Sequence, residues 1–148
     1  MATNERYMPV SPEAVWDALA DAGGYGYWVV GSKEIRDADP DWPAPGSKFH
    51  HTVGFGPFEV KDHTVALEAA RPGLLSLRAK GRPLGTAKVT LKMTELDGGT
   101  LVRMTENPDG LTSVLAFNPL MQLLTIGRNA ESLMRLEELA LRRNGSAG

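Results

Sequence analysis

The sequence predicts an α+β fold in which a curved antiparallel sheet of about seven strands wraps around one long C-terminal helix, with two short helices after the first strand. Three observations carry that expectation. The middle of the chain is a succession of strand-like segments separated by turn residues, those segments alternate apolar with polar side chains, and the last segment has helical periodicity.

Ala2 to Val10 reads as an edge strand, because Pro9 cannot donate to a ladder and suits a sheet margin. A helix follows in the stretch SPEAVWDALA. Ser11 is a suitable N-cap, Pro12 takes the first helical position, and Val15, Trp16 and Leu19 form its apolar stripe. Gly23 and Gly24 stop it. Tyr25 to Val30 then makes a second short helix or turn, before the sheet resumes at about Gly31.

From there to Pro108, turn chemistry recurs at Asp39-Pro40, Pro45-Gly46, Gly56-Pro57, Pro72-Gly73, Gly81-Arg82-Pro83 and Asp97-Gly98-Gly99, which divides the stretch into about six consecutive strands. Ala87, Val89, Leu91 and Met93 alternate with Lys88, Thr90, Lys92 and Thr94. Leu75, Leu77 and Ala79 alternate with Ser76, Arg78 and Lys80, and Phe49, His51, Val53 and Phe55 with Lys48, His50 and Thr52. Short turns between consecutive strands imply antiparallel pairing, and one dry face needs a cover.

The cover is the last segment. A helix of about seven turns is expected from Pro119 to Arg143, with Asn118 as its cap. Ile126, Ala130, Leu133 and Ala140 share one side, and Arg128, Glu131, Arg135, Glu138 and Arg142 the other. Leu120 to Gly127 is apolar nearly all round.

The 148 residues fit a single domain, 1–148, able to bury roughly 70% of its unfolded surface without a staple. With no cysteine there are no disulfides, thiolate nucleophiles or sulfur-ligated metals. Sixteen basic and eighteen acidic residues, intermixed, give a net charge of -2 and argue against a nucleic-acid partner. Asn4, Glu5 and Arg6 stand where a secretory signal needs an apolar run, and no stretch of about 18 apolar residues is present to span a membrane. A cytoplasmic location is expected. Asn144-Gly145-Ser146 matches a glycosylation sequon, which such a location leaves without meaning.

In its order of elements the chain resembles the START-like, or SRPBCC, superfamily, which includes the bacterial polyketide cyclase/dehydrase and lipid-transport group. The resemblance covers nearly the whole chain. It rests on the first strand, the SPEAVWDALA helix, the aromatic element ending at Trp28, the strands, the Gly98-Gly99-Thr100 turn and the final RNAESLMRLEELA helix. It implies a helix-grip architecture with a hydrophobic cavity between sheet and helix, used by carriers, cyclases, aromatase-like enzymes and co-chaperones alike. Fold alone does not choose among them.

Polar residues on the dry face are the informative ones, since burying one without a partner costs about 1–3 kcal/mol. His51 lies on that face by strand parity. The turn at Gly56-Pro57 places Phe58, Val60, Asp62 and Thr64 on the same face, so Asp62 sits opposite or diagonal to His51, where a carboxylate can orient an imidazole as a base or hold it charged. A two-residue type I′ turn at Asp97-Gly98 pairs Met93 with Val102, Leu91 with Met104 and Val89 with Glu106, which projects the Glu106 carboxylate inward, unless it sits at a wet mouth paired to Arg103 or a loop amide. Asn129 flanks the stripe of the last helix. The same face offers Phe49, Val53, Val89, Leu91 and Met104 from the sheet and Ile126 and Leu133 from the helix as ligand contacts. Trp28 and Phe117 stand where the resembling family has its cavity mouth.

Sharper motifs fail. Gly54-Phe55-Gly56 precedes no helix and so cannot hold a pyrophosphate. His50 and His51 point to opposite faces, which disfavours a metal site, and hydrolase and phosphoryl-transfer signatures are absent. No cofactor is expected. Three functions stay open: binding or transport of a hydrophobic, lipid-like or aromatic polyketide-like molecule; cyclase or dehydratase chemistry by His51, Asp62 and Glu106; and an interaction module, either homodimeric or co-chaperone-like, through Trp42 and the apolar start of the last helix.

Overall fold

The computed structural model describes residues 2–30, 32–55, 58–80, 86–109 and 119–147. Its strands are β1 (Ala2–Met8), β2 (Ser32–Ala38), β3 (Lys48–Phe55), β4 (Phe58–Ala70), β5 (Leu74–Lys80), β6 (Thr86–Leu96) and β7 (Gly99–Asp109). They form one antiparallel sheet in the order β1-β7-β6-β5-β4-β3-β2, which closes the chain's first strand onto its last. Helices α1 (Pro12–Leu19) and α2 (Tyr25–Trp28), with a 3-10 turn at Ala22–Gly24 between them, follow β1, and α3 (Pro119–Ala147) ends the chain. The helix-grip architecture is therefore present.

Local chemistry fixes each end. The Ser11 hydroxyl accepts from the Ala14 amide at 3.2 Å, and Pro12 opens α1. The carbonyl of Leu19, orphaned at the C-terminus of α1, accepts from Tyr25 Oη at 2.8 Å and from Trp42 Nε1 at 3.2 Å. Burial pushes the Tyr25 phenol far above its ordinary pKa, so it stays a neutral donor. Trp42 is thus core, stacked among Tyr25 and Phe49, and not the exposed patch that its loop DWPAPG suggested. Its indole nitrogen had a buried carbonyl to reach, which composition cannot reveal.

Asp97 and Gly98 both take positive φ, 49° and 79°, as a type I′ turn requires. The resulting register pairs Met93 with Val102, Leu91 with Met104 and Val89 with Glu106, as expected.

Partners across an antiparallel pair share a face, so the registers read as rows crossing the sheet. On the inner face one row runs Asn4, Met104, Leu91, Leu75; the next Ala2, Glu106, Val89, Leu77, Ala66; the next Pro108, Ala87, Ala79, Thr64, Phe49; and the last Asp62, His51, Ile35. The first row is closed, with Leu75 and Leu91 wholly inaccessible. The Pro108–Ala87–Ala79 row, one residue in from the ends of β7, β6 and β5, is only partly buried.

The phase of α3 differs from the expected stripe. Asn129, Ser132, Leu133, Leu136 and Ala140 point inward, whereas Ala130 is exposed and Ile126 is 39% exposed. The inward face includes two small polar residues because each finds work there: Ser132 Oγ accepts from the Val30 amide at 3.1 Å, and Asn129 Oδ1 lies 3.4 Å from Arg128 Nη2. Thr52, expected on the wet face, is buried as well.

Candidate functional site

Two polar clusters occupy the inner face. The first belongs to the β3–β4 hairpin, where His51 pairs directly with Asp62 in the register. Both are buried, at 5% and 4% exposure, as is Thr64, whose Oγ1 lies 3.1 Å from His51 Nε2. Asp62 Oδ1 accepts from the His63 amide at 3.0 Å and lies 3.7 Å from His63 Nδ1. Phe49, two residues before His51 and hence on the same face, places its ring 5.6 Å from the imidazole. Behind it Tyr25, Trp42 and Trp28 continue the aromatic wall, with Trp28 4.9 Å from Tyr25. The imidazole is held by a hydroxyl on one side and an aromatic cluster on the other.

The second cluster joins the β1–β7 edge to α3. Arg128 Nη2 donates to both oxygens of Glu106, at 2.6 and 2.5 Å. Asn4 Nδ2 donates to the Ile126 carbonyl at 3.0 Å, and Arg6 Nη2 pairs with Glu137 at 2.9 Å. Glu106 therefore does project inward. Its partner is Arg128, not Arg103, which bonds Glu5 on the other face. Arg128 was expected on the wet side of α3. Its long side chain lets the charge reach back to the sheet while the group stays partly solvated.

His51 and Asp62 stand together, but Glu106 does not join them. Glu106 is on β7 and Asp62 on β4, three inter-strand steps apart, or about 14 Å along the sheet. Of the apolar contacts expected, Trp28, Phe49, Val89, Leu91, Met104 and Leu133 are buried inside. Val53 pairs with Val60 in the ladder, Ile126 lies at the margin of α3, and Phe117 lies outside the described residues. Among the described residues, Trp28 Nε1 and Asn129 Nδ2 are buried donors without a hydrogen-bond partner.

Sequence reasoning missed Asn4, Arg6 and Thr64 as members of these clusters. A signal existed for all three. Met8 fixes the parity of β1 so that Asn4 and Arg6 face inward with it, and Thr64 shares the parity of Asp62. Among the described residues no group of three His, Cys, Asp or Glu side chains is arranged for a metal ion, and no helix is long and apolar enough to cross a membrane.

The family model described as polyketide cyclase / dehydrase and lipid transport matches residues 2–140. No curated protein matches the sequence. Among solved structures, protein NE0264 from Nitrosomonas europaea superposes with a TM-score of 0.74 at 15% identity, covering 97% of this chain and 95% of its own. A protein of unknown function, SA2116 from Staphylococcus aureus, gives 0.74 at 11% identity, with 97% and 94% covered. The Aha1 dimer from Colwellia psychrerythraea gives 0.64 at 15% identity, with 93% and 92% covered. At these identities the likeness is one of fold.

Proposed function

This chain belongs to the polyketide cyclase / dehydrase and lipid transport family, and on that premise we propose that it binds or transports a hydrophobic small molecule between the inner sheet face and α3. The observation that carries the reading is the Pro108–Ala87–Ala79 row. Inward-facing sheet positions are normally filled by large side chains at crystal-like density, yet this row, near the ends of three neighbouring strands, is short-chained and partly accessible. Aromatic and aliphatic residues surround it, which suits a lipid-like or aromatic guest. Trp28 Nε1 and Asn129 Nδ2, buried donors without a hydrogen-bond partner, are available to a polar group on such a guest. Native mass spectrometry of protein purified from its own host tests the reading: a retained organic molecule of a few hundred daltons supports it, and uniformly ligand-free protein that also takes up no added fatty acid or aromatic polyketide contradicts it.

Catalysis of the cyclase or dehydratase type is favoured by one observation, the His51–Thr64–Asp62 strip. Glu106 contributes less to that reading than expected, because Arg128 occupies both its oxygens. An interaction role, with a second copy as partner, draws on Leu120, Leu123, Leu124, Met134 and Leu141, which recur along the solvent side of α3. Light scattering on the purified chain decides it, a strict monomer at high concentration removing that role.

A further inference from the structure

The sheet's outer face is strongly basic in a way the inner site does not use. Reading the registers across it, one row runs Lys48, Val65, Arg78, Lys88, Asn107; the next Glu68, Ser76, Thr90, Thr105, Thr3; and the next Leu74, Lys92, Arg103, Glu5. Arg78 stands directly opposite Lys88, and Lys92 directly opposite Arg103. Like charges placed directly across two strands destabilise a sheet. Here two such pairs flank a row of hydroxyls, in which Ser76 Oγ and Thr90 Oγ1 lie 3.4 Å apart.

Between the flanks the surface is recessed. A groove of about 250 Å³ is lined by Thr90, Lys92, Arg103 and Thr105. Two cations and two hydroxyls line one concave spot, and no carboxylate is among the four lining residues. Glu5, 3.3 Å from Arg103 Nη2, is the carboxylate at its edge and steadies the guanidinium there.

From this placement we infer a second ligand site on the outer face, taking the phosphate group of a small soluble molecule into the Thr90–Thr105–Lys92–Arg103 groove. Phosphate oxygens match both the arginine fork and the lysine point charge, and the threonine hydroxyls supply the shorter bonds. Binding there relieves the repulsion between Lys92 and Arg103.

The test titrates the intact protein with inorganic pyrophosphate at moderate salt, following backbone amide shifts and the heat of binding. Saturable binding with shifts centred on residues 90–92 and 103–105, weakened about tenfold or more by either Lys92→Gln or Arg103→Gln, supports the site. Both side chains are exposed and each variant removes a like-charge pair, so thermal melts of the two variants are expected at or slightly above the parent's. Lys61→Gln, on the same face but remote from the groove, is expected to leave the affinity unchanged. An equal loss in Lys61→Gln shows a diffuse field and overturns the inference, as does the absence of saturation. Flotation with vesicles of phosphatidylserine and phosphatidylcholine is the second arm: capture by vesicles without pyrophosphate binding overturns the assignment to a soluble ligand.

Discussion

Thr64 Oγ1 stands 3.1 Å from His51 Nε2 within a buried hairpin, and the residue facing His51 across the ladder is Asp62. The hydroxyl therefore sets which imidazole nitrogen is engaged, while Phe49 limits the ring's rotation. Thr64→Val keeps the shape and removes the oxygen. It is expected to cost about 1–3 kcal/mol, the range for leaving a buried polar group unsatisfied, and to change the ¹⁵N signature of the His51 tautomer. Urea denaturation and histidine NMR check both. An unchanged ring spectrum contradicts the orienting role.

Glu106 and Arg128 join β7 to α3, but the guanidinium is two-fifths exposed, so solvent screens the pair. Arg128→Gln is expected to lower stability by no more than about 1 kcal/mol, with the difference from the parent shrinking in high salt. Chemical denaturation at two salt concentrations checks this. A salt-independent loss several times larger means the pair acts as a buried one.

Gly99 follows the hairpin turn at a point where a Cβ would lie 2.5 Å from Tyr7 Oη and 2.6 Å from the Met8 carbonyl oxygen. The tyrosine is exposed and can move; the backbone oxygen belongs to the paired β1 strand and accepts from the Val10 amide at 2.8 Å. Gly99→Ala is therefore expected to destabilise by about 2 kcal/mol or more, read from urea denaturation. A neutral substitution there contradicts the close approach of the two strands.

Burial lowers the pKa of His63, Lys80, Lys48 and His50 lower it further, and Asp62 opposes them. The unfolded chain, with an ordinary histidine near 6.5, then binds a proton that the folded chain refuses in the window between the lowered value and that one. Stability consequently falls as pH drops through this window and is regained above it. His63→Gln is expected to flatten this acid-side slope in denaturation midpoints measured from pH 5 to 8. A slope identical to the parent's assigns the acid sensitivity elsewhere.

The sheet was legible because its information is local. Asp97-Gly98 dictates a turn, the turn dictates the β6–β7 register, and parity carries Val89, Leu91 and Met93 to one face; parity about Gly56-Pro57 likewise puts His51 and Asp62 on one face. What escaped depends on reach and tertiary context. The helix phase was misjudged because the stripe was drawn through Ile126 and Ala130 with Asn129 at its flank, although Asn129 and Ser132 each have a use inside. Trp42 was left open between core and an interaction patch, in a loop rich in proline and aspartate, and the Leu19 carbonyl draws it in. Arg128 was assigned to solvent by its helical angle, yet a long side chain is not confined to the direction of its Cβ.

The most direct measurement of the central claim titrates a neutral solvatochromic dye, Nile red, into the parent and into Ala87→Leu and Ala79→Leu. Space over the alanine row predicts saturable, one-to-one uptake by the parent, at least tenfold weaker binding by both variants, and melting temperatures at or above the parent's, because the added methyl groups enter empty volume. If the row is instead packed solid, the parent takes up no dye and each variant loses about 1–3 kcal/mol of stability to overpacking, which would contradict a ligand chamber beneath α3.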